Sequence, residues 1–360
     1  VYGNLRESEK AGRWVKRATK VKDRELRLRA GVLAAIAACD RGDLEAMEEH
    51  LENARSALDH PDLAWRWRHA RGLLAYERGE GPTAMEHLAL ALKESRRRLR
   101  TFEAAGLWND LALARALAGE LGAAERAFLH SLNLLGESEG PRRTTLALFN
   151  LAEIRLRRGR LLGVEEILER SVAENRAAGN WRGLIQDGEL AARLQLVLGR
   201  PSEAVSGIRR LQAELEERGV KWHGEVLQVL AARALGWMGR AEETWAELEP
   251  TTPQTRAQLE PEERPALWAL AGDRERALQE NPPGPLRELW QALLTGGPIA
   301  ASEWDCLGEI DAYRAARFVY DAELLEPGIT PALWLRRAIG RLRRVEAGPL
   351  AEHLERQEVG

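Results

Sequence analysis

Apolar residues between Trp108 and Ser131 recur at the three- and four-residue spacing of amphipathic helices. The pattern is interrupted at Gly119-Glu120 and then starts again on a second face. It therefore predicts two helices joined by a tight turn, which need further apolar surfaces beside them because the pair cannot bury both faces alone. The positions that carry this pattern are Trp108, Leu111 and Ala112 in the first helix and Ala124, Phe128 and Ser131 in the second.

The turn glycine recurs along the chain at intervals of 37, 40, 40, 40 and 40 residues. A small residue precedes each glycine by seven positions, and a packing face follows it at five, nine and twelve positions. Such a period is typical of stacked helical repeats in which glycine ends the first helix of each pair. The glycines are Gly42, Gly79, Gly119, Gly159, Gly199 and Gly239, and the small residues are Ala35, Gly72, Ala112, Ala152, Ala192 and Ala232. The packing faces are Met47-Leu51-Ala54, Ala84-Leu88-Ala91, Ala124-Phe128-Ser131, Val164-Leu168-Ser171, Ala204-Ile208-Leu211 and Thr244-Leu248-Thr251.

This period divides the chain into three regions. Residues 1–22 are predicted to be the second helix of a truncated repeat, because Ala11, Val15 and Ala18 have the spacing of a second-helix face. Residues 23–253 are predicted to form an array of about six repeats, and residues 254–360 to form degenerate helical repeats that cap it. Val, Ile and Thr cluster in no alternating run, so no strand is predicted and the fold class is all-α.

Composition restricts the class of protein. The formal net charge of -3 argues against direct nucleic-acid binding and against attraction to an anionic membrane. Cys39 and Cys306 are too few and too far apart for a disulfide framework, so a cytoplasmic location is expected. No run of 18 apolar residues and no signal-peptide pattern is present, so no membrane partner is expected.

The template segment resembles the tetratricopeptide repeat at its signature positions Trp108, Leu111, Ala112, Gly119, Ala124 and Phe128. The resemblance covers about residues 1–250, but the period is near 40 rather than about 34 and the usual terminal proline is mostly absent. Longer repeats of this kind resemble the helical sensor domains of large bacterial transcription activators, such as the maltose-regulon activator. The resemblance implies a right-handed superhelical solenoid whose first helices line a concave groove for a peptide, a protein or a small ligand.

In this frame, residues ten, six, three and two positions before each glycine are expected to face the groove, with some neighbours on the same face. An apolar floor would supply contact energy and polar side chains would fix the register of a bound segment. The alternative is that these residues are solvated or paired with one another. The candidate partner-binding residues are Arg66, His69, Tyr76, Asn109, Leu113, Phe149, Asn150, Glu153, Arg157, Gln186, Glu189, Arg193 and Trp237, the last as an aromatic anchor.

Arginine in the groove has two interpretations. Arg157, Arg193 and Arg233 could each hold a carboxylate through two hydrogen bonds. The favoured alternative is that they pair with Glu153 and Glu189 on adjacent helices. The basic runs 96–100 and 336–344 are interpreted as solvated helix ends, since stacking aromatics are largely missing beside them.

Catalytic and metal-binding motifs are absent from the sequence or in the wrong context. The segment 136–140 matches GxSxG, but it is predicted to join two helices, whereas a nucleophile elbow joins a strand to a helix. There is no phosphate-binding GxxxxGK[ST] loop, no HExxH and no CxxC. The chain is therefore predicted to be no enzyme and to hold no cofactor and no metal.

The sequence thus predicts a binding module that acts as the sensing or scaffolding region of a bacterial regulatory protein. Its expected partner is a protein or peptide segment in the concave groove. A small effector and self-association stay open as further partners. The alternative is a stand-alone scaffold that joins two proteins without a switching role.

Overall fold

The computed structural model describes residues 23–95, 101–136, 141–220, 224–256, 263–281, 283–284, 286–309, 312–344 and 348–359. Within these ranges the regular structure is helical, with no strand, as the sequence predicts. The predictions for residues 1–22, for the basic run 96–100 and for most of the loop 136–140 lie outside the described residues.

The first half of the chain contains α1 (Arg24–Cys39), α2 (Leu44–Asn53), α3 (Ala64–Glu77), α4 (Gly81–Ser95), α5 (Thr101–Leu117), α6 (Leu121–Leu135) and α7 (Pro141–Arg157). The second half contains α8 (Val164–Ala177), α9 (Trp181–Val197), α10 (Pro201–Glu217), α11 (Glu225–Trp237), α12 (Ala241–Leu248), α13 (Pro253–Arg256), α14 (Glu263–Leu270), α15 (Arg274–Gln279), α16 (Arg287–Thr295), α17 (Ala312–Leu325), α18 (Ala332–Arg344) and α19 (Gly348–Val359). Short 3-10 segments occupy Arg55–Asp59 and Ala301–Glu309.

All six periodic glycines lie at corners between the two helices of a pair. Each has a positive φ, between 64° for Gly159 and 81° for Gly119. At Gly119 the chain turns from α5 into α6, and the left-handed conformation there is one that a side chain disfavours. The predicted corner positions are confirmed.

The packing positions that follow from the same frame are buried. The six small residues of the first helices are all in the core. In the third repeat Ala112 is fully buried, as are Ala124 and Phe128 of the facing helix. Gly72 shows why the position is small, because a Cβ there would lie 2.7 Å from Leu88 Cγ of α4. The sequence period therefore identifies the contacts between paired helices correctly.

The chain forms two compact units, 1–158 and 159–360, and the division into a repeat array up to residue 253 and degenerate repeats after it stays a prediction. In the second unit one hydrophobic core extends from Leu184 to Leu354. The last regular repeats and the irregular C-terminal helices share this core, because residues of α11 and α17 belong to the same cluster. Among the described residues, no helix is both long enough and apolar enough to cross a bilayer.

One core position of the second unit departs from the apolar pattern. Asp187 on α9 is 0% exposed, whereas the residues twelve positions before other corner glycines, such as Leu107 and Leu227, are apolar. Its carboxylate accepts hydrogen bonds from Ser171 Oγ (2.9 Å) and Asn175 Nδ2 (2.7 Å) of α8. Burial raises the pKa of Asp187 from 3.8 to about 6, and these two hydrogen bonds only partly offset the effect.

Alanine substitution at two glycines of one helix pair is expected to have opposite effects on stability. Gly119→Ala places a side chain at φ +81° and should lower the free energy of unfolding by about 1–2 kcal/mol. Gly106→Ala, inside α5 where a Cβ meets nothing within 4 Å, should raise it by up to about 1 kcal/mol. Urea unfolding of both variants measures the two changes. A loss of stability in both would contradict the assigned corner.

The stability of the second unit should depend on the ionisation of Asp187. Because the native-state pKa lies above the ordinary 3.8, the protonated form is favoured on folding, and this contribution is lost as pH rises from about 4 through 6. The shift corresponds to about 3 kcal/mol. Asp187→Asn should therefore gain stability relative to the wild type by up to that amount between pH 4 and pH 7.5. Urea unfolding at several pH values measures this difference, and a difference constant with pH would contradict the raised pKa.

Candidate functional site

The first-helix face of the N-terminal unit contains a cavity of about 360 Å³. The helices α1, α3, α5 and α7 supply most of its wall, and α6 supplies the rest. Its volume is within the range of about 300–1,000 Å³ that is common for ligand sites. The lining residues are Ile36, Trp65, Arg66, His69, Glu103, Ala105, Gly106, Leu107, Asn109, Asp110, Ser131, Leu135, Leu146 and Ala147. Three predicted residues, Arg66, His69 and Asn109, are therefore brought together here.

A row of polar side chains connects three first helices beside this cavity. Asn150 Nδ2 on α7 donates to Asn109 Oδ1 on α5 over 2.9 Å. Asn109 Nδ2 donates in turn to Asp110 Oδ1 at 3.3 Å, and Asp110 Oδ2 lies 2.7 Å from His69 Nε2 on α3. Asn109 and Asn150 are only 8% and 6% exposed. Hydrogen bonds thus hold the two amides in a fixed orientation on neighbouring helices; we call these four residues the polar row.

The rest of the cavity combines an ion pair with apolar walls. Arg66 on α3 reaches Glu103 on α5, with 3.3 Å between Nη2 and Oε1. The Arg66 guanidinium also lies 4.2 Å from the ring centre of Trp65, which is buried. Leu146 on α7 is about half exposed at the cavity, in contrast to the buried Leu107. The site therefore presents an accessible apolar surface with charged groups around it.

The remaining predicted residues of this unit are not in the cavity lining. Tyr76, Leu113, Phe149 and Glu153 are half-buried, and Arg157 is exposed. Burial raises the pKa of Tyr76, and the carboxylates Glu77, Glu153 and Asp110 raise it further while Arg157 opposes them. These groups are therefore close enough to act on one phenol.

The predicted residues of the second unit are described separately. Gln186 is exposed on α9, and Glu189 and Arg193 are half-buried. Burial raises the pKa of Glu189, and the positive charge of Arg193 opposes this effect. Arg233 forms its ion pair with Asp321 rather than with Glu189, and the pairing of Arg157 and Arg193 with glutamates of adjacent helices stays a prediction.

The structure also corrects the assignment of Trp237 as a groove anchor. Trp237 is 7% exposed, and its Nε1 donates to Asp321 Oδ1 of α17 over 3.0 Å. Arg233, one turn earlier on α11 and 3% exposed, forms an ion pair with the same carboxylate. Tyr320 of α17 packs edge-on against the Trp237 ring, with 5.0 Å between ring centres. A segment of the chain itself thus occupies the groove positions of the sixth repeat.

Sequence reasoning missed Asp110, Glu103 and Trp65 in the site. Asp110 could have been found from the frame, because it precedes Gly119 by nine positions as Asn150 precedes Gly159. The repeat frame does not identify Glu103 as the partner of Arg66. Glu103 precedes its corner glycine by 16 residues and Arg66 precedes its own by 13, so the two do not hold equivalent positions. No local pattern pairs residues 37 positions apart.

Comparison with solved structures supports the architecture. A Rap protein complexed with competence and sporulation factor matches with a TM-score of 0.57 and 13% identity over 98% of this chain and 92% of that one. The apo form of the quorum sensor NprR from B. thuringiensis matches at 0.55 and 14%, over 97% and 92%. A tetratricopeptide repeat protein from Parabacteroides merdae matches at 0.54 and 15%, over 74% and 98%.

No protein-family model matches the sequence, and no curated protein does. At identities of 13–15% the structural likeness is evidence for the fold alone. It agrees with the corner glycines and with the buried helix faces that the period of about 40 residues predicts. The chain therefore has an all-α helical-repeat fold similar to that of these solved structures.

Proposed function

We propose that the first-helix face of the N-terminal unit binds a peptide or protein segment, and that the chain is the sensing or scaffolding region of a bacterial regulatory protein. The observation that carries this proposal is the cavity beside the polar row, formed by several consecutive first helices. An array of helices provides an elongated surface of this kind, to which an extended segment can bind along several repeats.

The polar row is suited to a peptide backbone. An asparagine side chain offers both an acceptor and a donor, the same groups that a peptide bond requires. Asn150 uses its amide nitrogen toward Asn109, so its Oδ1 can accept from a bound N–H. Because both amides are already held by hydrogen bonds, little side-chain freedom is lost when a ligand binds.

The structural neighbours support the same class of ligand. One is a Rap protein in complex with competence and sporulation factor, and another is NprR in complex with its cognate peptide NprX, at a TM-score of 0.51. Both fold matches extend over nearly the whole of this chain. A regulatory protein that detects a peptide is therefore the model that we favour over a stand-alone scaffold.

Loss of either amide should weaken peptide binding. Peptides selected by display of a random library on the full chain provide the ligand, and fluorescence anisotropy measures its Kd. Asn109→Ala and Asn150→Ala are each expected to raise the Kd about five- to thirtyfold, since each removes a hydrogen bond in a partly buried site. Phe149→Ala, a third variant that leaves the polar row intact, should also weaken binding.

Asn133→Ala is the matched control, because Asn133 is an exposed asparagine on the second helix α6 of the same unit. It should leave the Kd unchanged. Thermal unfolding of each variant separates a loss of affinity from a loss of fold. If no selected peptide depends on Asn109, Asn150 or Phe149, the proposed binding face is rejected.

A further inference from the structure

Gly106 is an unexpected residue in the middle of α5. Glycine inside a helix is less favourable than alanine. Among the described residues, packing does not require it here, because a Cβ at Gly106 would meet none of their atoms within 4 Å. Gly106 lines the cavity, so the missing side chain leaves the helix surface open at that point. A ligand can therefore approach the backbone of α5 more closely here than at any side-chain-bearing residue of the lining.

The cavity next to Gly106 is suited to an apolar group. Trp65, Leu107 and Leu135 are buried in its wall, and Leu146 presents its side chain at the surface. The exposed apolar surface of Leu146 is removed from water only when a ligand covers it, and this burial is favourable. A large aliphatic or aromatic side chain supplies such a cover, whereas a polar one leaves its hydrogen bonds unmade.

Among the described lining residues, the two carboxylates Glu103 and Asp110 outnumber the one guanidinium, that of Arg66, and Asp110 also lies 2.7 Å from the imidazole of His69. Within the lining, Arg66 is already paired with Glu103, and Asp110 adds a further carboxylate. Two further groups of this unit, the Cys39 thiol and the half-buried Tyr76 phenol, have pKa values that burial and nearby carboxylates raise. Burial raises the pKa of the Cys39 thiol to about 11, and Glu77, Asp40 and Asp110 raise it as well. Besides burial, the carboxylates of Glu77, Glu153 and Asp110 raise the pKa of Tyr76, and one guanidinium, that of Arg157, lowers it. A cationic ligand group is therefore the complementary one.

The distance between Gly106 and Glu153 determines how far apart the apolar and the cationic group of the ligand must be. In the repeat frame, Glu153 lies seven helical positions beyond the level of Gly106, which is about 10 Å along parallel helices at 1.5 Å per residue. The bond between Asn109 and Asn150 shows that α5 and α7 follow this frame. Neighbouring packed helices are also about 8–10 Å apart. The separation is therefore about 13–14 Å, which an extended peptide covers with four residues.

We propose that this site takes a peptide with one large apolar side chain and a lysine or arginine within about four residues of it. The apolar side chain enters the cavity over Gly106, and the cation lies against Asp110 and Glu153. This inference rests on the proposed binding face and specifies the chemistry of its ligand.

The test begins with the peptides selected on the wild-type chain. They should share an apolar residue and a nearby basic residue. Replacement of the apolar residue by alanine should raise the Kd about ten- to a hundredfold. On the protein, Gly106→Leu should fill the cavity and raise the Kd at least tenfold without lowering the Tm. Gly207→Leu on α10 is the matched control, because a Cβ there also meets nothing within 4 Å, and it should leave the Kd unchanged.

A double-mutant cycle tests the charge. Exchange of the basic residue of the peptide for glutamine should weaken binding to the wild type several-fold, and to the Glu153→Gln variant much less. Selected peptides that depend on Asn109 but tolerate Gly106→Leu, or that lack the apolar and basic pair, overturn this inference and leave the proposed function standing. Absence of any Asn109-dependent peptide overturns both.

Discussion

Close contact between the two helices of each repeat depends on a small residue in the middle of the first helix. At Gly72 a single added carbon would lie 2.7 Å from Leu88 Cγ, closer than atoms of that kind approach in folded proteins. At Ala35, Ala112 and Ala232 the methyl group is fully buried in the same position. A larger side chain would force the helices apart and expose the second-helix face. The corner glycine complements this contact by reversing the chain within a few residues.

Regular packing of this kind places equivalent positions of successive first helices at nearly the same level. Asn109 and Asn150 can hydrogen-bond for this reason, since they precede their corner glycines by ten and nine residues. The polar row is thus a consequence of the repeat geometry. Its side chains are mostly removed from solvent, where an unpaired amide is unfavourable, and the contacts among them keep their orientation fixed. The same arrangement leaves an apolar cavity at its side, bounded by Trp65 and Leu146.

The sixth repeat uses the same positions differently. Arg233 and Trp237 hold two of the predicted groove positions, six and two residues before Gly239, but both bond to Asp321 of α17. An arginine at such a position could bind a carboxylate of a ligand. Arg233 instead binds the carboxylate of Asp321 in the same chain. Removal of one partner from such a buried pair leaves a charge without compensation, so this contact holds α17 against α11. The C-terminal helices therefore share one hydrophobic core with the last repeats.

The sequence alone determined the helix pairs, their corners and their buried faces, because each depends on residues fewer than about fifteen positions apart. It also identified Arg66, His69 and Asn109, which line the cavity, since the groove positions follow from the same frame. Other features required the tertiary structure. Arg233 meets Asp321 at a separation of 88 residues, and Arg66 meets Glu103 at 37, and no period specifies such pairs. The buried carboxylate of Asp187 and the cavity over Gly106 likewise depend on how neighbouring helices fill space, which a pattern along one helix does not encode.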